Sequence, residues 1–240
     1  MNNKLKYILV IIFLILVYFY TQYNPKVYKF DSKKKGTNLF ILGSVHGNEP
    51  AGTVSCYKLI ELLKEKKITV KNGSITILPL PNPLGYYLNS RFQLRPFNRD
   101  INRNFLNKGK DRISKIILKY VNKSDFIIDL HEGWGFNRIN KESIGSTLSY
   151  TQFNLAKKIS KFMIESINKT ISNENHKFNL LTKKNKNCLP KGSLGCYSQK
   201  NKKNYILIET TGQDNIQKLE FRVKQDLILL KTAMKKLNII

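Results

Sequence analysis

Asp125-Phe126-Ile127-Ile128-Asp129-Leu130, followed at once by His131-Glu132-Gly133, is the stretch whose reading decides the fold. Four of its first six residues are large and apolar, and the run ends in a glycine. A short apolar run bounded in this way reads as a strand buried on both faces. Working outward, Leu39-Phe40-Ile41-Leu42 ends in Gly43-Ser44, and Ile75-Thr76-Ile77-Leu78 is stopped by Pro79, Pro81 and Pro83. Tyr205-Ile206-Leu207-Ile208 is a late run of the same kind. Between these lie segments with helical apolar spacing, over residues 50–66, 111–122, 153–171 and 216–237. Strands alternating with helices predict an α/β domain, in three α/β/α layers around a mostly parallel mixed sheet. No internal repeat is present.

Composition narrows the class. The chain has 240 residues and 41% hydrophobic residues, enough for one domain with a sizeable core and too apolar for a disordered chain. Three cysteines exclude a disulfide-dense scaffold and every multi-cysteine zinc motif. Lysine and arginine number 42 against 16 acidic residues, a net charge of +26. Such a charge suits an anionic polymer or an anionic surface. The lysines are spread along the chain and no nucleic-acid-binding motif is present, so no specific nucleic-acid partner is expected.

At the N-terminus, Tyr7 to Tyr20 is an unbroken apolar run preceded by Lys4 and Lys6. As a helix it spans about 21 Å, short of the roughly 30 Å hydrocarbon core, with flanking tyrosines suited to the headgroup level. No small-residue cleavage site follows it. The expectation is an uncleaved signal anchor over residues 1–20 and a tether over 21–36, then a single domain over 37–240. The domain would stand outside the cytoplasm on a single-pass anchor, or be secreted if the segment is cleaved.

In open α/β sheets ligands gather beyond the carboxyl ends of the strands. After the first strand comes Ser44-Val45-His46-Gly47-Asn48-Glu49; after the Asp125 strand comes His131; the last strand runs into Glu209. His46 and Glu49, three apart on a turn entering a helix, can point the same way, and His131 would complete a His2Glu set. That is a catalytic zinc arrangement that leaves a fourth position open. Zinc suits hydrolysis because it acidifies water and polarises a carbonyl. Glu209 is the candidate proton shuttle. Asp129, on the same strand face as His131, would accept a hydrogen bond from that imidazole. Glu132 reads equally as a supporting group or an exposed acid. Arg91, Arg95, Arg99 and Arg103 cluster in a chain whose positive charge is mostly lysine. The arginine fork grips carboxylates at two points, although Arg91 and Arg99 singly read as solvated loop residues. Cys188 and Cys196 lie eight apart in a loop and would pair in an oxidising compartment, a geometry that spacing alone does not fix.

His46-Gly47-Asn48-Glu49, Asp100-Ile101-Asn102-Arg103-Asn104-Phe105, Asp129-Leu130-His131 and Glu209, in this order, resemble the zinc carboxypeptidase superfamily. Within it they resemble the branch of succinylglutamate desuccinylase and aspartoacylase. The resemblance runs over residues 38–212. It implies one zinc ion held by His46, Glu49 and His131, with Glu209 as general base. It implies Asn102 and Arg103 as the pair that holds the substrate carboxylate, and Arg95 as the group that polarises the scissile carbonyl. Asn82 falls near a further substrate contact, with altered spacing. Carboxypeptidase members place a tyrosine before the glutamate; Tyr197 and Tyr205 both stand there, and Tyr197 is counted among the substrate contacts. The branch usually adds a C-terminal β-rich domain, whereas this chain closes in a predicted helix. The implied substrate is therefore a peptide with a free carboxylate, cleaved by a membrane-tethered metallocarboxypeptidase. An N-acyl amino acid deacylase, or a basic binding module without chemistry, are the alternatives.

Overall fold

The computed structural model describes residues 3–22, 25–93, 99–106, 109, 111–181 and 190–240. In chain order these form α1 (Asn3–Gln22), β1 (Tyr28–Asp31), β2 (Asn38–Leu42), α2 (Pro50–Lys64), β3 (Ser74–Leu78), α3 (Pro83–Tyr87), α4 (Arg112–Lys123) and β4 (Phe126–Gly133). They continue as β5 (Thr147–Tyr150), α5 (Asn154–Asn168), β6 (Asn179–Leu181), α6 (Leu194–Lys200), β7 (Asn204–Thr211) and α7 (Leu219–Lys236). Seven strands make one sheet in the order β1-β3-β2-β4-β7-β5-β6. Its centre, β3-β2-β4-β7, is parallel. β1 and β5 run antiparallel to β3 and β7. The mixed, mostly parallel sheet expected from the apolar runs is therefore the one observed.

Strand alternation sorts the core into two. Leu39, Ile41, Phe126, Ile128, Leu130, Ile206 and Ile208 pack under α2, α5 and α7. Phe40, Leu42, Ile127 and Tyr205 face the other way, against Ile113, Ile117 and Val121 of α4 and Leu194 of α6. Asp129, His131, Leu207 and Glu209 share the second face, because they follow Ile127 and Tyr205 at even spacing. From β2 the chain crosses outward to β3 and then returns to the other side of β2 as β4. The reversal between β2 and β4 opens the crevice in which such sheets bind ligands.

Two expectations need correction. The stretch 21–36 is not wholly a tether, because Tyr28–Asp31 pairs in register with Ser74–Leu78 from Asp31↔Ser74 to Tyr28↔Ile77. Its alternate half-buried and exposed residues give an edge strand, which the surrounding lysines disguise. No helix among the described residues is long and apolar enough to cross a membrane, so the membrane helix read from Tyr7 to Tyr20 has no support in the structure. In α1 the large apolar side chains from Leu5 to Ile15 are all exposed.

A buried acid on α7 gives the fold a pH dependence. Asp226 accepts a hydrogen bond from Ser55 Oγ at 2.9 Å, and its other oxygen has no partner. Burial pushes its carboxyl well above the ordinary range, and nearby Glu132 adds to the rise against the opposing Arg222. The folded state thus keeps a proton that the unfolded chain releases near pH 4. Stability from this group is full below that pH and falls as pH rises toward the folded-state value. Asp226→Asn is expected to remove this fall, gaining on the parent by up to roughly 1.4 kcal/mol per pH unit above about pH 4. Identical slopes of stability against pH in the two proteins would contradict it.

Candidate metal centre and substrate cleft

The loop from β2 to α2 carries the first two ligands. Gly47 lets it turn: a Cβ there would fall inside the backbone of Gly85. Glu49 is the N-cap residue of α2 with Pro50 in the first turn, and its side chain caps nothing. That side chain instead turns inward, where its Oε1 lies 2.7 Å from His46 Nδ1 and its Oε2 lies 2.8 Å from His131 Nδ1. Arg91 Nη1 and the Glu132 backbone N–H also donate to it, at 3.0 and 3.2 Å. Donor atoms of His46, Glu49 and His131 all fall within 4.8 Å of one another, and all three residues are buried.

The outer nitrogens also face carboxylates, His46 through a hydrogen bond and His131 through a longer charge contact. His46 Nε2 lies 2.9 Å from Asp100 Oδ1, and His131 Nε2 lies 3.3 Å from Asp129 Oδ1. Each imidazole thus turns Nδ1 inward and faces a carboxylate with Nε2, the arrangement that orients metal-ligating histidines. Tyr205 Oη holds Asp129 from behind by donating to Oδ2 at 2.8 Å. Two imidazoles and one carboxylate are a donor set that suits zinc.

The charges are coupled. Burial alone would raise Glu49, but His131 and His46 hold its carboxyl well below the usual range. Burial opposes a proton on His131, yet Asp129 and Glu49 raise that group well above its ordinary value. Asp100 is held low, against its burial, by His46, Arg91 and Arg103. Glu209 pairs in register with His131 across β4 and β7. Burial pushes its carboxyl up to about 8; Glu49 and Asp129 add to the rise, and His131 and Arg91 oppose it.

These residues line a cleft of about 250 Å³. His46, Glu49, Asn102, Arg103, His131 and Glu209 are all brought to it. Asp100 caps the short helical turn Ile101–Arg103 through the Asn102 N–H, which presents both residues to the cleft. Asn102 Oδ1 accepts from Leu194 N–H at 2.9 Å, leaving the amide N–H groups as the donors it has to offer. Arg95 lies outside the described residues, as does Cys188. Cys196 is disulfide-bonded and Cys56 is free and buried.

Two expected contacts are not brought to the cleft. Asn82 caps α3 ahead of Pro83: its Oδ1 accepts from Gly85 N–H and its Nδ2 donates to Val45 O, both at 3.2 Å. It buttresses the peptide just before His46 and does not line the cleft. Tyr197 sits on the far side of α6, where its hydroxyl donates to Asn122 Oδ1 at 2.8 Å. Cys196 and Gln199 of α6 face the cleft, and Tyr197 is out of phase with them. Among the aromatic residues, Tyr150 and Tyr205 line the cleft.

Arg91, read singly as a solvated residue, is a clamp: Nη1 reaches Glu49 Oε1 and Nη2 reaches Asp100 Oδ2, at 3.0 and 3.2 Å. The four-arginine cluster is its sequence signal; Asp100 lies nine residues on, but Glu49 lies 42 residues back, out of reach of local spacing. Glu132 is fully enclosed. It accepts from the Ala51 N–H at 2.5 Å and pairs with Arg222 of α7. This ties α2, and so Glu49, to the end of β4. Arg222→Met would leave Glu132 buried without its cation, a loss of about 3–5 kcal/mol in unfolding free energy. A change below about 1 kcal/mol in chemical denaturation would show that the pair does not hold these elements.

The sequence profile of the succinylglutamate desuccinylase/aspartoacylase catalytic domain matches residues 35–142. No curated protein matches the chain in sequence. Among solved structures, product-bound Csd4, a cell shape determinant protein from Helicobacter pylori, is 20% identical with a TM-score of 0.76, covering 90% of this chain and 55% of that one. An aspartoacylase family protein from Mesorhizobium loti is 18% identical with a TM-score of 0.62, covering 89% and 61%. A succinylglutamate desuccinylase from Silicibacter is 14% identical with a TM-score of 0.63, covering 89% and 60%. At these identities the likeness is one of fold, and the chain spans little more than half the length of these structures. The profile match over residues 35–142 and the shared fold together bear out the resemblance to the zinc carboxypeptidase-like succinylglutamate desuccinylase/aspartoacylase branch.

Proposed function

We propose that this chain is a zinc-dependent metallocarboxypeptidase, which hydrolyses the amide bond next to a free carboxylate in a short peptide. The observation that carries this is the convergence of His46, Glu49 and His131 with Glu209, Asn102 and Arg103 in one cleft. Related Csd4 structures support a peptide substrate: one is described as a D,L-carboxypeptidase bound to mDAP and another as tripeptide-bound. The exposed apolar side chains of α1 support attachment of the domain to a membrane surface.

His46, Glu49 and His131 would hold the zinc ion, which polarises a carbonyl and acidifies water. Arg103 pairs with the substrate carboxylate, and Asn102 donates to it from its amide nitrogen. Arg95, by resemblance, meets the scissile carbonyl. Glu209 receives a proton from the attacking water at its carboxylate, then passes it to the leaving amine nitrogen. Arg91 and Asp100 keep Glu49 and His46 oriented throughout.

Arg103→Ala is expected to raise KM roughly 10- to 100-fold with a smaller change in kcat, as the loss of one charge-assisted contact requires. An unchanged KM would contradict the role. The deacylase reading is favoured by the profile match itself. A panel of short peptides beside N-acetyl and N-succinyl amino acids separates the two. Release of the C-terminal residue at the higher kcat/KM supports the carboxypeptidase, and faster hydrolysis of the N-acyl amino acids overturns it in favour of the deacylase.

A further inference from the structure

Helix α6 has two working faces. Cys196 and Gln199 border the cleft, while Tyr197 and Lys200 border a second and larger recess of about 880 Å³. The opposite wall of that recess is α4, which contributes Lys115, Lys119 and Asn122; Lys191 lies at its edge. The frame is tied together across the recess by the Tyr197 hydroxyl on Asn122 Oδ1. Lys203 Nζ closes the end of α4 by donating to the carbonyls of Asn122 and Ser124, at 2.9 and 3.0 Å.

Four lysines thus converge without a counter-charge. None of Lys115, Lys119, Lys191 and Lys200 is ion-paired to a carboxylate among the described residues. The two acids that flank α4 in sequence are engaged elsewhere. Asp111 caps the helix by accepting from Ser114 N–H and also accepts from Asn104 Nδ2. Asp125 accepts from the backbone and side chain of Asn38. Gathering like charges in a concavity is unfavourable unless an anion answers them, and the concavity focuses the field that draws one in.

We propose that this recess binds a linear, phosphate-bearing polyanion, alongside the hydrolytic cleft and separated from it by α6. Lysine is a point-charge binder of phosphate, whereas the arginine fork is the better match to a carboxylate. Lysines are the charged residues of the recess, beside Leu106, Leu118, Asn122, Tyr197 and Asn201, whereas the cleft presents Arg103. Lys115 and Lys119 are one helical turn apart and can share one phosphate, with Lys191 and Lys200 left for the next. A flexible chain can follow the open trough between α4 and α6, whereas duplex DNA is read by convex elements that enter its grooves.

The test is binding of short-chain inorganic polyphosphate to the full-length protein in neutral detergent, across a range of salt concentrations. Lys119→Gln/Lys200→Gln is compared with Lys158→Gln/Lys161→Gln, two exposed lysines of α5 that remove the same charge from another surface. The proposal requires at least a tenfold loss of affinity in the first pair, with a shallower salt slope by about 1.4. The second pair should stay near the parent. A second recess pair, Lys115→Gln/Lys191→Gln, should repeat the first result. Equal losses in the recess and control pairs would overturn the proposal, leaving general charge attraction. Tighter binding of anionic vesicles or duplex DNA, lost in the same recess variants, would overturn the assignment to a flexible chain.

Discussion

Glu209→Gln is expected to reduce kcat roughly a thousandfold or more while leaving bound metal unchanged. The substitution keeps the shape of the side chain and removes only its ability to carry a proton. Glu209 is in register with His131 on the adjacent strand and opens onto the cleft, yet none of the hydrogen bonds that orient His46, Glu49 and His131 involves it. Metal affinity and fold should therefore survive the change. Burial and the neighbouring Glu49 and Asp129 push its carboxyl up to about 8. Equal turnover in the variant would remove Glu209 from the mechanism. Loss of metal together with activity would make it a structural support of the centre.

Glu49→Ala is the second large effect. One carboxylate meets both imidazoles, Arg91 and the Glu132 N–H. Its removal takes away one of three donors and leaves His46, His131 and Arg91 with only Asp100 and Asp129 behind them as counter-charges. Metal affinity should fall more than about a hundredfold, since even supporting partners of a metal site are worth 10- to 100-fold. Glu49→Gln keeps the volume and one acceptor oxygen, so it should fold closer to the parent while still binding metal poorly. Parent-like affinity in a folded Glu49→Gln protein, measured by competition with a chromophoric chelator, would show that Glu49 is not a ligand.

The parts of this molecule that sequence reveals are those that local chemistry dictates. The strand at Phe126–Gly133 is buried along its whole length, so it must be continuously apolar except where it works. His46, Glu49, His131 and Glu209 stand out because polar residues at the ends of such runs need a reason to be there. β1, β5 and β6 are only three or four residues long and partly exposed, so neither length nor alternation marks them. α6 hides in a loop containing glycine and proline. Spacing leaves Tyr197 and Tyr205 open, because which of them meets the cleft depends on the phase of a seven-residue helix against it. Arg91 was underrated because its partner Glu49 lies 42 residues away in sequence. Asn82 was overrated because proximity to a motif in sequence does not show that a side chain is already engaged in capping.

The most direct test of the account is the metal content of the purified full-length chain, measured by elemental analysis with release of a C-terminal residue from a tripeptide. The account predicts about one zinc per chain, peptide hydrolysis abolished by a chelator, and activity restored in proportion to zinc returned. A well-folded chain that takes up no metal when it is supplied, or that cleaves the peptide equally with and without it, would contradict the assignment of His46, Glu49 and His131 as a catalytic metal centre.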